Sequence, residues 1–278
     1  MIYQFSALLL IFQKPFFPDR FDKLEEFDRK KNHPYIVRNK CHGADVLGNI
    51  DECWLGVQKE RIDGMLIGDS FANHSASFID VFARDAGLLI HDSSSVGNPI
   101  LTRFRSEGVY DYPPEYADAR LKLALQYEHI IIGAQWGRYS EPGSLNYIRL
   151  LDTIEKIVEQ GKKVTIIFAL PPTTLENLHK LKLLKGNRFI FFDNDASTIE
   201  LPKYWESKLA IAIKERFPQV NFIDMKDVMC KSELCQLTID GTIVYRTHDH
   251  FNTIGARLMA EKYLQKIGNP LKGIALIN

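Results

Sequence analysis

The chain has 278 residues, 45% hydrophobic and 25% charged, which is ordinary globular usage with enough apolar material for one large core and excludes a disordered protein. Lys and Arg together number 35, as do Asp and Glu. With no net charge, nothing steers the molecule toward nucleic acid or an anionic membrane surface, and no nucleic-acid partner is expected.

The apolar run at residues 5–12 is too short to span a bilayer and has neither a positive n-region nor a small-residue cleavage site. Residues 15–42 are charged and proline-containing and read as a connecting segment with one short helix near 22–29. The four cysteines fall as two local pairs, Cys41 with Cys53 and Cys230 with Cys235. That pattern is compatible with two short-loop disulfides and an oxidising compartment. Buried free thiols are the alternative, and the spacings match a four-cysteine zinc site poorly.

From residue 65 strands and helices alternate. Strands are expected at 65–68, 88–90, 129–132, 164–170, 188–192 and 220–225, and helices at 74–86, 116–126, 147–160 and 203–217, with a last helix near the C-terminus. Such alternation argues for an α/β fold whose mostly parallel sheet is covered on both faces.

Two stretches carry chemistry. Met65-Leu66-Ile67-Gly68-Asp69-Ser70-Phe71-Ala72 places Ser70 at the carboxyl end of a strand and the first turn of a helix, where open α/β sheets bind ligands. A serine there can act as a nucleophile, its own N–H lying among the unpaired donors of the helix start. The plainer reading is a turn with Ser70 as N-cap. Near the other end, a strand-like run at 242–245 leads through a polar turn to His250, ahead of a helix capped by Asn252 or Thr253. Histidine has the pKa to take the serine's proton near neutrality. His248 and His74 are the competing bases.

Gly68-Asp69-Ser70-Phe71-Ala72 and Asp249-His250-Phe251-Asn252 resemble the first and last motifs of the SGNH/GDSL esterase superfamily. More narrowly, they resemble the SGNH domain at the C-terminus of bacterial membrane-bound O-acyltransferases that acetylate O-antigen and other envelope sugars. The apolar strand running from Tyr127 to Gly133 and on to Trp136 is similar to that subgroup too. The resemblance implies a three-layer α/β/α sandwich of flavodoxin-like type, with residues 41–278 as the catalytic domain. Residues 1–40 are then a linker, the remnant of a membrane-fused module; an N-terminal strand or helix packed on the domain is the competing expectation. It further implies disulfides at both cysteine pairs and a periplasmic domain tethered to the inner membrane. The partners implied are an acyl donor, a carbohydrate acceptor such as lipopolysaccharide O-antigen, and an integral-membrane acyltransferase module. No cofactor and no metal ion is called for.

By that resemblance Ser70 is the nucleophile and His250 the base, and Asp69 holds the turn. An aspartate normally stands three residues before the histidine; here that position is Thr247. Asp249 is the replacement acid, though neighbouring side chains usually diverge. The alternative is a Ser-His dyad steadied by Thr247 or a backbone carbonyl, and loss of the acid from a serine triad lowers the rate about 10⁴-fold. The oxyanion hole implied consists of the Ser70 N–H, the Gly97 N–H and, in place of the family's asparagine, the Gln135 amide. Trp136 is expected as a wall or sugar-stacking platform. The function implied is O-acyl, most simply acetyl, transfer to an envelope polysaccharide through an acyl-enzyme on Ser70. A carbohydrate O-acetylesterase and a catalytically silent glycan-binding module are the alternatives.

Overall fold

The computed structural model describes residues 41–43, 53–95, 97, 114–139, 141–178, 181, 197–201 and 207–272. The expectations for residues 1–40, the strand at 188–192 and the beginning of the helix at 203–217 lie outside them. In chain order the strands are β1 Trp54–Gly56, β2 Gly64–Gly68, β3 Leu89–Ser94, β4 His129–Gly133, β5 Lys163–Phe168, β6 Thr198–Glu200, β7 Asn221–Asp224, β8 Cys230–Lys231, β9 Leu234–Gln236, β10 Thr238–Ile239 and β11 Thr242–Ile243. The helices are α1 Ser70–Ala86, α2 Pro114–Ala124, α3 Leu145–Glu159, α4 Ser207–Arg216, α5 Lys226–Met229 and α6 Thr253–Lys266.

The main sheet has six strands in the order β1-β3-β2-β4-β5-β7. All neighbours are parallel except β1, which runs antiparallel along β3. The chain leaves β2 for β3 on one side and then crosses to β4 on the other. The carboxyl end of β2 is therefore the topological switch point, where the connections diverge and leave a crevice.

Side-chain alternation along the strands divides the core in two. Leu66, Ile90, Ile131, Ile167 and Ile223 face α1 and α6, while Met65, Ile67, Ile130, Ile132, Val164 and Ile166 face α2, α3 and α4. The result is the α/β/α sandwich expected. The first face is sealed by aromatic packing, with Phe78 and Phe82 of α1 at 6.0 and 5.5 Å from the Tyr263 ring of α6.

Local signals explain where these elements begin and end. Asp69 caps α1 and Gly87, with φ of 67°, ends it; Ser144 caps α3 and Asn252 caps α6 through side-chain oxygens that accept from Tyr147 N and Gly255 N. Helix α1 thus begins at Ser70, four residues before the helix expected from apolar spacing, because the carboxylate at Asp69 supplies the cap.

Disulfides join Cys41 to Cys53 and Cys230 to Cys235. The second ties the paired residues of the β8-β9 hairpin, and neither the thiol nor the zinc alternative holds. Among the described residues no helix is long and apolar enough to cross a membrane.

Candidate functional site

Gly68 ends β2 against β4 so closely that a Cβ there would lie 1.8 Å from the Gly133 carbonyl oxygen. Only glycine fits, and the chain can then turn straight into α1. The next residue fastens that turn: Asp69 Oδ1 accepts from Phe71 N at 2.8 Å and Oδ2 from Gln135 N at 3.0 Å. Burial pushes the Asp69 carboxyl up, against the pull of these two N–H donors. The cap is therefore Asp69 and not Ser70, which leaves the serine side chain unengaged in capping. Ser70 is half-buried at the first helical position, where its N–H has no carbonyl of its own helix to bond.

The histidine comes from a loop shaped by backbone bonds. Tyr245 and Phe251 form an antiparallel bridge, and the N–H groups of Arg246 and Thr247 both donate to the His250 carbonyl. Asn252, fully buried, donates to Ile243 O at 2.7 Å while capping α6. Tyr245 OH donates to Pro171 O and Thr173 N to His248 O, each at 2.6 Å, anchoring the loop to the segment after β5.

This frame sets His250 Nε2 2.8 Å from Ser70 Oγ, 180 residues away in sequence, and His250 Nδ1 2.7 Å from Asp249 Oδ1. Adjacent side chains converge here because the chain turns between Thr247 and His250. Thr247 Oγ1 accepts from His250 N at 3.1 Å, donates to Asp249 Oδ1 at 2.9 Å, and lies 3.4 Å from the imidazole Nδ1. The threonine in the aspartate's usual place steadies the carboxylate from beside it. Burial opposes ionisation of Asp249, but the hydrogen bond and charge of His250, with the Thr247 hydroxyl, hold its carboxyl well below the usual carboxylate range. An ionised Asp249 can only accept, so Nδ1 carries the imidazole proton and Nε2 presents a lone pair to the serine hydroxyl.

The two competing candidates, His248 and His74, lie around this pair. His248 is half exposed, 3.7 Å from the outer Asp249 oxygen. His74 is buried, with ring centroids 4.6 Å from Phe71, 4.4 Å from Phe251 and 5.3 Å, edge-on, from His250. It walls the imidazole from behind.

The expected oxyanion donors are placed unevenly. Gly97, with φ of 62° and open space where a Cβ would be, follows β3 two residues after Ser95, whose N–H donates to Gly68 O at 3.0 Å; Asn98 and Pro99 lie outside the described residues. Gln135 is half-buried, its backbone N–H bonded to Asp69. Trp136 corrects an expectation. It is 1% exposed, donates to Ile167 O at 2.6 Å and packs on Phe168, so no face is open to stack on a sugar.

Two residues of the site escaped the sequence reading. Arg120 of α2, 1% exposed, donates to Gly68 O at 3.1 Å and Ser93 O at 2.9 Å, clamping the ends of β2 and β3. Its signal was an arginine on the stripe formed by Ala117, Leu121 and Ala124. His42, read as the end of a connector, hydrogen-bonds Ser94 Oγ through Nδ1 at 2.8 Å.

Against this geometry stand the comparisons with known proteins. The family model described as SGNH domain (fused to AT3 domains) matches residues 40–265. The chain belongs to the SGNH domain family. Among solved structures, this SGNH domain is similar to the periplasmic domain of the lipopolysaccharide acetyltransferase of Salmonella ser. Paratyphi A. The TM-score is 0.61 at 15% identity over 90% of this chain and 97% of that one, a likeness of fold. A protein assigned to the G-D-S-L lipolytic family of Desulfitobacterium hafniense DCB-2 matches at a TM-score of 0.44 and 13% identity, over 74% of this chain and 99% of that one. No curated protein sequence matches the SGNH domain.

Proposed function

We propose that the SGNH domain transfers an acyl group, most simply acetyl, to a carbohydrate hydroxyl of the cell envelope through an ester on Ser70. The observation that carries the reading is the continuous hydrogen-bonded line from Ser70 Oγ through His250 to Asp249, at 2.8 and 2.7 Å. Ser70 Oγ attacks the acyl carbonyl carbon as its proton passes to His250 Nε2. The tetrahedral intermediate collapses, the donor's leaving group takes that proton, and the acyl group stays on Ser70. The acceptor hydroxyl then gives its proton to Nε2 and attacks the ester, and Ser70 Oγ recovers the proton as it leaves. Asp249 keeps the proton on Nδ1 and offsets the imidazolium charge in both halves.

The Ser70 N–H is the first donor for the oxyanion, with Gly97 N–H and the Gln135 amide as its companions; each such donor is worth roughly 3 kcal/mol. Membership of a family fused to AT3 domains supports a membrane acyltransferase module as the supplier of the acyl group. The two disulfides and the likeness to a periplasmic domain support a periplasmic site of action. Asp249 supplies the carboxylate that Thr247 lacks, which favours a working site over a silent glycan-binding module.

A fluorophosphonate probe tests the reading. Labelling of the wild type that vanishes in Ser70→Ala is expected. A folded wild type that takes no label sinks it. Acetyl from p-nitrophenyl acetate appearing on added oligosaccharide, and not only in water, separates transferase from esterase.

A further inference from the structure

Strand β1 stops where Trp54 pairs with His91, and one step on Asp92 N donates to Cys53 O at 2.8 Å. Beyond that point the edge of β3 is taken over by the three residues 41–43. His42 forms a parallel bridge with Ser94, Gly43 N donates to Ser94 O at 3.1 Å, and Tyr116 OH of α2 donates to Gly43 O at 3.0 Å. Ser94 is in register with Gly68, and Gly68 with Gly133. His42, Ser94, Gly68 and Gly133 therefore form one row across the carboxyl edge of the sheet, with Ser70 two residues past Gly68. The Arg120 charge acts on the His42 ring, as does the charge His250 takes on with the serine's proton.

The ring itself is oriented. Ser94 Oγ donates to Cys41 O at 3.3 Å, so its lone pair takes the proton of His42 Nδ1 at 2.8 Å. Nε2 is then an unprotonated acceptor, and none of the described residues bonds it. The imidazole also stays neutral, since burial first, then Arg120 and His250, push its pKa down to about 4. A neutral ring that can only accept at its free nitrogen suits a hydroxyl and does not compete with His250 for the Ser70 proton.

Residues 41–43 are also tied to the sheet covalently. Cys41 and Cys53 are each 2% exposed and bonded across 12 residues. Besides that bond the segment is held by its hydrogen bonds to Ser94 and by the Tyr116 contact.

We propose that His42 Nε2 accepts a hydrogen bond from a hydroxyl of the carbohydrate in the Ser70 crevice, and that the Cys41–Cys53 disulfide holds it there. The inference rests on Ser70 as the acyl carrier. It assigns sugar recognition to a residue outside the serine-histidine-aspartate line and makes that recognition dependent on an oxidising compartment.

The test compares two acetyl donors on the full 278-residue chain: a mono-O-acetylated methyl glucoside, which has free hydroxyls, and p-nitrophenyl acetate, which has none. His42→Ala is expected to lower kcat/KM on the glucoside about tenfold more than on the nitrophenyl ester, as loss of one hydrogen bond predicts. His42→Gln, which keeps an acceptor oxygen, recovers part of that difference. The double variant Cys41→Ala, Cys53→Ala reproduces the selective loss, whereas Cys230→Ala, Cys235→Ala affects both donors alike. Equal losses on the two donors in His42→Ala, no loss at all, or no selectivity in the Cys41, Cys53 variant overturns the assignment. A wild type that takes fluorophosphonate but is inert on the glucoside overturns it alone; one that takes no label removes the serine reading first and this inference with it.

Discussion

Asp249 and His250 are chain neighbours, and in an extended segment their side chains would point apart. The turn that carries them removes that obstacle, with the Thr247 hydroxyl bonding both the His250 N–H and the Asp249 carboxylate. On this geometry the charge on the imidazole is balanced by Asp249 and only steadied by Thr247. Asp249→Asn should therefore lower kcat on p-nitrophenyl acetate by about 10⁴-fold, the loss that follows when a triad histidine has no acid to fix its tautomer. Thr247→Val removes one hydrogen bond to a charged group and should lower it only about tenfold to a hundredfold. Adding Thr247→Asp to Asp249→Asn should regain part of the rate. If Thr247→Val matched Asp249→Asn, the threonine and not the carboxylate would be the orienting group. Ser70 and His250 stood out in the sequence because each lies at a strand or loop end just before a helix. The Asp249 contact did not, because spacing along a chain says nothing of how tightly a four-residue turn closes. Arg120 was hidden for a related reason: a charge on an apolar helix stripe becomes intelligible only once the carbonyls of Gly68 and Ser93 are seen beside it.

At the scale of elements, four of the legible strands, β2 to β5, are buried along almost their whole length and read as apolar runs, and β7 was legible although it is only partly buried. Strand β1 was not among them. It has three residues, and its pairing with β3 depends on a partner some 35 positions away. The join between β2 and α1 is the element on which the site rests, and it depends on Gly68. Gly68→Ala would drive a methyl group into the Gly133 carbonyl, 1.8 Å away, so β2 and β4 would have to part at the edge that carries Ser70. We expect a loss of about 3 kcal/mol or more in chemical denaturation, together with reduced fluorophosphonate labelling of the folded fraction. Gly87→Ala is the control. It also sits at positive φ, but a Cβ there meets nothing within 4 Å, so it strains the helix end without touching the crevice and should leave labelling of the folded fraction intact. Equal labelling losses in the two variants would mean that general destabilisation, not the β2 end, controls the serine.

At the scale of the whole molecule, four histidines among the described residues are held neutral by burial: His42 on the sheet edge, His74 in α1, His91 in β3 and His129 in β4. Desolvation pushes His42 and His91 down to about 4 and His129 to about 3, and holds His74 well below its ordinary value. His91 and His129 each use one ring nitrogen, bonded to Tyr127 OH and Thr165 Oγ1, and leave the other buried without a partner. Protonating His74, His91 or His129 puts a charge in the core, and protonating His42 puts one on the half-buried sheet edge near Arg120. In the unfolded chain these rings titrate near 6.5, so below that pH the unfolded state binds more protons and gains on the folded one. Stability is then fully present above about pH 6.5 and is lost as pH falls toward the folded values, at roughly 1.4 kcal/mol per pH unit for each histidine. Asp69 and Asp224 work in the opposite sense, since burial raises both carboxyls and protonation favours the folded state; they offset part of the loss only once the pH nears the carboxylate range. The melting temperature should therefore drop steeply between pH 7 and pH 5, and the slope should shrink by about one proton in His129→Gln, where the substituted amide can still reach Thr165. A melting temperature that stays flat over that interval would mean the buried rings take up protons without resistance, and that the sheet around Ser70 is far more open to water than its packing implies.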